Sequence, residues 1–167
     1  APSQANVALF RFRLQNPTGV ATTVSQVVFP LSAVASISGA ELTNVRIWNG
    51  STNVATNGSA SIAGATGSIT FSPAFAVPAG STVDYTLYAD VANLYAGDTL
   101  TVSLGTANVT LAGGSVGGSS LGGVVHTADA LSYQITNTDD DVYERSAPTS
   151  AIWGGSVNPG YDVRNSV

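Results

Sequence analysis

Thr82-Val83-Asp84-Tyr85-Thr86-Leu87-Tyr88-Ala89-Asp90-Val91 alternates without a break. Val83, Tyr85, Leu87, Ala89 and Val91 fall on one side of an extended chain, and Thr82, Asp84, Thr86, Tyr88 and Asp90 on the other. Successive side chains of a strand point to opposite faces, so this pattern predicts a half-buried β-strand. The same reading extends outward. Leu100, Val102 and Leu104 alternate with Thr99, Thr101 and Ser103. Ala107, Val109 and Leu111 alternate with Thr106, Asn108 and Thr110, which predicts Asn108 on the solvent face. Ile69 and Phe71 alternate with Ser68 and Thr70, and Leu131, Tyr133 and Ile135 with Ser132 and Gln134.

The opening segment, Asn6 to Leu14, presents Ala8, Phe10, Phe12 and Leu14 as one apolar face. Gln15-Asn16-Pro17-Thr18-Gly19 reads as a turn. A second strand, Val20 to Phe29, is expected to stop at Pro30, and a third, Leu42 to Trp48, at the Asn49-Gly50 turn. No segment carries helical periodicity with caps, and a short helical turn has room only between Pro30 and Ala40. The expected fold is all-β: a single antiparallel sandwich of about seven to nine strands. Its core is predicted from Phe10, Phe12, Val45, Ile47, Ile69, Phe71, Val83, Tyr85, Leu87, Leu100, Val102 and Leu104. Residues 1–136 form the predicted domain, with a Gly/Ser-rich loop over 112–123. Residues 137–167 read as an extended tail and candidate assembly arm.

Composition narrows the function classes. The chain has 167 residues, no Cys, no Met and one His (His126), and all five basic residues are Arg. Charged residues make up 9%, against about a quarter in an ordinary globular protein. A net charge of -5 with scattered Arg gives no basic stripe for nucleic acid. No apolar run is long enough to span a membrane as a helix. Ala1-Pro2-Ser3-Gln4 reads as a trimmed end, consistent with a secreted, cell-surface or extracellular chain whose signal peptide has been removed. Asn49, Asn57 and Asn108 head Asn-X-Ser/Thr sequons and are candidate glycosylation sites. The first two are also expected in Asn-Gly turns.

Several segments together resemble the immunoglobulin-like modules of prokaryotic cell-surface and extracellular filament proteins. They are Val7-Ala8-Leu9-Phe10-Arg11-Phe12, Leu42-Thr43-Asn44-Val45-Arg46-Ile47-Trp48, Val77-Pro78-Ala79-Gly80-Ser81-Thr82, Tyr85-Thr86-Leu87-Tyr88-Ala89-Asp90-Val91 and Gly97-Asp98-Thr99-Leu100. The resemblance covers roughly residues 7 to 136. It implies an Ig-like sandwich on a cell surface or in an extracellular fibre, with no catalytic residues. The chain departs from such modules in its single copy and in the tail after Thr136.

Chemistry-bearing residues are few, and the expectation is a protein that is not an enzyme and holds no cofactor. His126 with Asp129 and Ser119 or Ser120 has the ingredients of a triad, but no nucleophile elbow surrounds them, and a solvent-facing His beside a loop is the plainer reading. Glu41 and Glu144 are the two Glu, so a glycosidase pair would have to use Asp. Asn137, Asp139 and Asp141 have the one-three-five spacing of a calcium loop. Val142 and Pro148 stand where such a loop needs Gly and Glu, which leaves a looser Ca²⁺ site completed by Glu144 as the candidate. Trp48 shares a face with Arg46, opposite Val45 and Ile47, and with Tyr88 could form a sugar platform or an interface.

The expected function is a structural subunit of an extracellular filament or surface layer. Its partners would be copies of itself, joined when a terminal segment adds as a strand to a neighbour. The candidate interface residues are Ala8, Phe10, Phe12 and Leu14 at the N-terminal end and Tyr143, Ile152, Trp153 and Tyr161 in the tail. The alternatives are a carbohydrate-binding or adhesive surface module, with glycans as partners, and a viral capsid or decoration protein.

Overall fold

The computed structural model describes residues 3–72 and 75–128. The predicted strand Leu131–Ile135 and the tail 137–167 lie outside them. The described chain is all-β. Its strands are β1 Gln4–Gln15, β2 Thr22–Ala35, β3 Leu42–Trp48, β4 Asn53–Ala63, β5 Thr66–Phe71, β6 Phe75–Val77, β7 Thr82–Val91, β8 Thr99–Leu104, β9 Val109–Leu111 and β10 Leu121–Thr127. Two single 3₁₀ turns, Gly39–Glu41 and Thr106–Asn108, are the helical content of the described residues. Every pairing is antiparallel, and the strands form one sheet in the order β1-β7-β3-β4-β5-β2-β8-β10, with β6 and β9 added along β2.

The sheet curls until it is nearly barrel-shaped. The bend is built into β4, whose first half pairs with β3 and whose second half, Ser59–Ala63, pairs with β5. Asn57-Gly58 sits at this changeover. Asn57 takes φ +59°, and a Cβ on Gly58 would lie 2.5 Å from the Phe71 ring. The pair is therefore a bulge inside a strand and not the hairpin turn expected from Asn-Gly, because close backbone approach demands the same residues as a turn.

Curling brings the β1–β7 face against β2 and β5. Phe12 packs edge-on to Phe29 at 5.5 Å and stacks on Tyr85 at 5.3 Å, and Phe29 meets Phe71 edge-on at 6.2 Å. Such pairs add to the area they bury. All the predicted core residues are buried except Val83, which is half-buried against the cluster.

The structure corrects four expectations. A register shift between Ala8 and Phe10 makes Leu9 a bulge residue, so Leu9 and Phe10 both face inward and Ala8 is exposed. The face Ala8-Phe10-Phe12-Leu14 is thus broken at its first member. β2 runs through Pro30 to Ala35, because Pro30 falls where the β9 ladder has ended at Val27 and the β8 ladder has yet to begin at Leu31. A residue without an N–H is tolerated there. The described strands number ten; β6 and β9 are three residues each, too short to show alternation. The Gly/Ser-rich segment gives way to β10 at Leu121 and not after Gly123.

Candidate functional site: an open seam and an acid-centred clasp

Among the described residues β1 pairs only with β7, and β10 only with β8, so the two ends of the curled sheet face each other there without a ladder between them. Among the described residues one hydrogen bond crosses this seam: His126 Nε2 on β10 lies 2.7 Å from the carbonyl oxygen of Leu9 on β1. The carbonyl can only accept, so the ring nitrogen donates. His126 is half-buried. It is thus a half-buried clasp between sheet edges and not a solvent-facing residue; among the described residues its ring is bonded to backbone and not to Ser119 or Ser120. Asp129 lies outside the described residues.

Toward the C-terminal end of β1 the seam widens into a cleft of about 680 Å³. Phe12 and Leu14 line one flank, and Leu104, Val109, Leu111 and Leu121 the other. The loop between β9 and β10 also lines it, through Gly113–Ser119, with Val116 packed against the core. Val116 is flanked by Gly113-Gly114 and Gly117-Gly118; Gly114 and Gly118 hold φ +91° and +117°. β10 itself is exposed almost throughout, with Leu121 and Val124 each 41% and Val125 66% exposed. An apolar strand with one unpaired edge is a template for another strand.

The predicted interface residues divide accordingly. Phe10 and Phe12 belong to the core of their own sheet at 3% and 4% exposure, Leu14 lines the cleft half-buried, and Ala8 is outside on β1. Tyr143, Ile152, Trp153 and Tyr161 lie outside the described residues, as do Asn137, Asp139, Asp141 and Glu144. Among the described residues no group of three His, Cys, Asp or Glu could hold a metal ion, and no helix is long and apolar enough to cross a membrane.

A second cluster was hidden in the pattern. Arg46, expected on a polar face, is 6% exposed, so β3 is buried on both sides there. Its guanidinium reaches Asp90 Oδ1 at 3.3 Å, the Asn44 carbonyl and the Asn6 side-chain oxygen. Asp90 also accepts the Asn6 N–H and the Asn44 amide, each at 2.8 Å. Asn6 and Asn44 have φ +59° and +49° and sit at bulges on β1 and β3, either side of β7. The bulges re-aim both residues onto one carboxylate. The Asn6 N–H, then the Asn44 amide, with a smaller part from Arg46, hold the Asp90 carboxyl below its ordinary 3.8. The cluster unites Asn44-Val45-Arg46-Ile47 with Ala89-Asp90-Val91, two of the segments that carry the family resemblance. The bonds it makes fasten β1 and β3 to β7.

Trp48 meets Tyr88 edge-to-face at 6.5 Å, and Arg46 lies 6.0 Å from the Tyr88 ring. Trp48 is half-buried, and its indole nitrogen is buried without a hydrogen-bond partner. Asn49 and Asn57 are exposed. Asn108 is half-buried in a 3₁₀ turn, with its side-chain oxygen accepting the Gly105 N–H at 3.0 Å. It is not on a freely solvated strand face, because the alternation that placed it there starts one residue later, at Val109.

No family model, no curated protein and no solved structure matches this chain.

Proposed function

We propose that this chain is a structural subunit of an extracellular filament or surface layer. It is an Ig-like module that joins copies of itself when a terminal segment adds as a strand to a neighbour. The observation that carries this reading is the open seam. Among the described residues, a sheet that curls nearly to closure stops with two edges that no described strand pairs, and Leu121, Val124 and Val125 of β10 are exposed. An edge of that kind is an aggregation hazard unless it is used. The sparse charge, the absence of Cys and the exposure of sequon residues Asn49 and Asn57 fit a chain that works outside cells. The polar clusters Arg46–Asp90 and His126–Leu9 are spent on fastening strands, which fits a structural role better than a catalytic one.

The N-terminal strand is the weaker candidate for the exchanged segment, because Phe10 and Phe12 are core residues whose removal would unfold the donor. The segment beyond Ala128 carries the proposal. Electron micrographs of the chain at high concentration test it. Elongated particles or sheets with a regular subunit repeat are expected, and a field of separate globules would overturn it.

A further inference from the structure

The geometry points to the seam cleft as the acceptor for Leu131–Ile135 of a second copy, entering as a strand beside β1. The inference rests on the filament reading above and names its contact. Among the described residues both flanks of the cleft have edges without a partner strand: β1 pairs only with β7, β9 only with β2, and β10 only with β8. A strand laid along β1 would find backbone donors and acceptors there, and apolar pockets for every second side chain. Leu131, Tyr133 and Ile135 repeat at that period, with polar Ser132 and Gln134 between them. The present occupant is a weak one: Val116, held in place by a loop with paired glycines on each side.

The occupant comes from another copy because of where the chain leaves the described fold. Ala128 is fixed by two backbone bonds, its N–H to the Asp98 carbonyl at 2.9 Å and its carbonyl to the Gly97 N–H at 2.8 Å. Thr127 pairs with Thr99, whereas the cleft adjoins Leu104 and Leu121. The root of the arm and the mouth of the cleft are thus separated by the length of β8, six residues or about 20 Å. The link from Ala128 to Leu131 reaches only about 10 Å at full extension. Leu131 of the same chain therefore cannot reach the cleft end, and a same-chain segment would have to start beside the His126–Leu9 bond. A neighbour's segment enters through the open end and runs antiparallel to β1, the stronger pairing direction.

Root and acceptor at opposite ends make the contact head-to-tail, which gives an open chain of subunits unless the rotation closes. Two isolated exposed hydrophobics agree with such stacking. Val20, 73% exposed, lies in the turn at the cleft end, and Tyr95, 67% exposed, lies in the loop that anchors Ala128.

The chain has no Cys, so single thiols report contacts cleanly. Chains carrying Gln15→Cys are mixed with chains carrying Ser132→Cys and treated with a short bismaleimide. Covalent pairs between unlike chains are expected, and the doubly substituted chain should give a ladder of multimers. Cross-linking confined within single doubly substituted chains would overturn the inference. If particles form without unlike pairs, the filament reading stands and this acceptor is wrong. If unlike pairs form but stop at closed dimers, the acceptor stands and the filament reading falls. Tyr133→Asp should abolish every species above the monomer; assembly at the wild-type level would contradict the assignment.

Discussion

β7 and β10 are both short antiparallel strands rich in Val, Leu and Thr, yet they lead opposite lives. β7 is paired on both sides, by β1 and β3, and buries Tyr85, Leu87, Ala89 and Val91 in strict alternation. Among the described residues β10 is paired on one side, and only His126 within it is half-buried. A strand's apolar residues stabilise a fold only where neighbours cover them. Where neighbours are missing, the same residues become a contact waiting for another chain.

The largest expected effect lies in β7. Leu87 is 0% exposed, so Leu87→Ala should cost about 2–5 kcal/mol, read from urea unfolding. A loss near zero would remove the contrast by showing that β7 is as loosely held as β10. The seam clasp comes next. His126→Ala deletes one hydrogen bond between sheet edges and should cost about 1 kcal/mol. A much larger loss would mean that the seam belongs to the core.

Acid stability sharpens the β7 side of the comparison, with a smaller effect because Asp90 is open to water. Its folded-state pKa is lowered, so its contribution is present in full above the ordinary 3.8 and is lost as pH falls through the lower folded value. The difference in stability between the wild type and Asp90→Asn should therefore hold from neutral pH to about pH 4 and shrink below it. Asp84, lowered by its hydrogen bond to Arg13, titrates in the same window, so the comparison between variants isolates Asp90. A difference that grows on acidification would contradict the clasp. The smallest effect on folding is expected in β10, where Val125→Ser should change stability by less than about 0.5 kcal/mol.

Period-two alternation made β7, β8, β5 and their share of the core legible from sequence, because a strand covered on one face writes its burial into every second residue; Val24, Val27, Phe29 and Leu31 of β2 were not foreseen in the core. Bulges were not legible. Leu9, Asn44 and Asn57 each shift the register, and an extra residue in a strand looks like ordinary sequence until its partner strand is known. The sheet closure was hidden for the same reason. Arg46 and His126 were read as solvent-facing because their partners, Asp90 and the Leu9 carbonyl, are 44 and 117 residues away. One signal was available: Asn at positions 6, 44 and 57 marks residues that tolerate positive φ. Asn inside a strand was the trace of the bulges at 6, 44 and 57, and the bulge at Leu9 left none.

The most direct test of an open-edged, self-assembling sheet is the mass in solution, by light scattering over a wide concentration range, of this chain beside one ending at Ala128. The account predicts that the longer chain grows well beyond its 16.8 kDa monomer while the shorter one stays folded and monomeric. A longer chain that remains at 16.8 kDa at every concentration would contradict it.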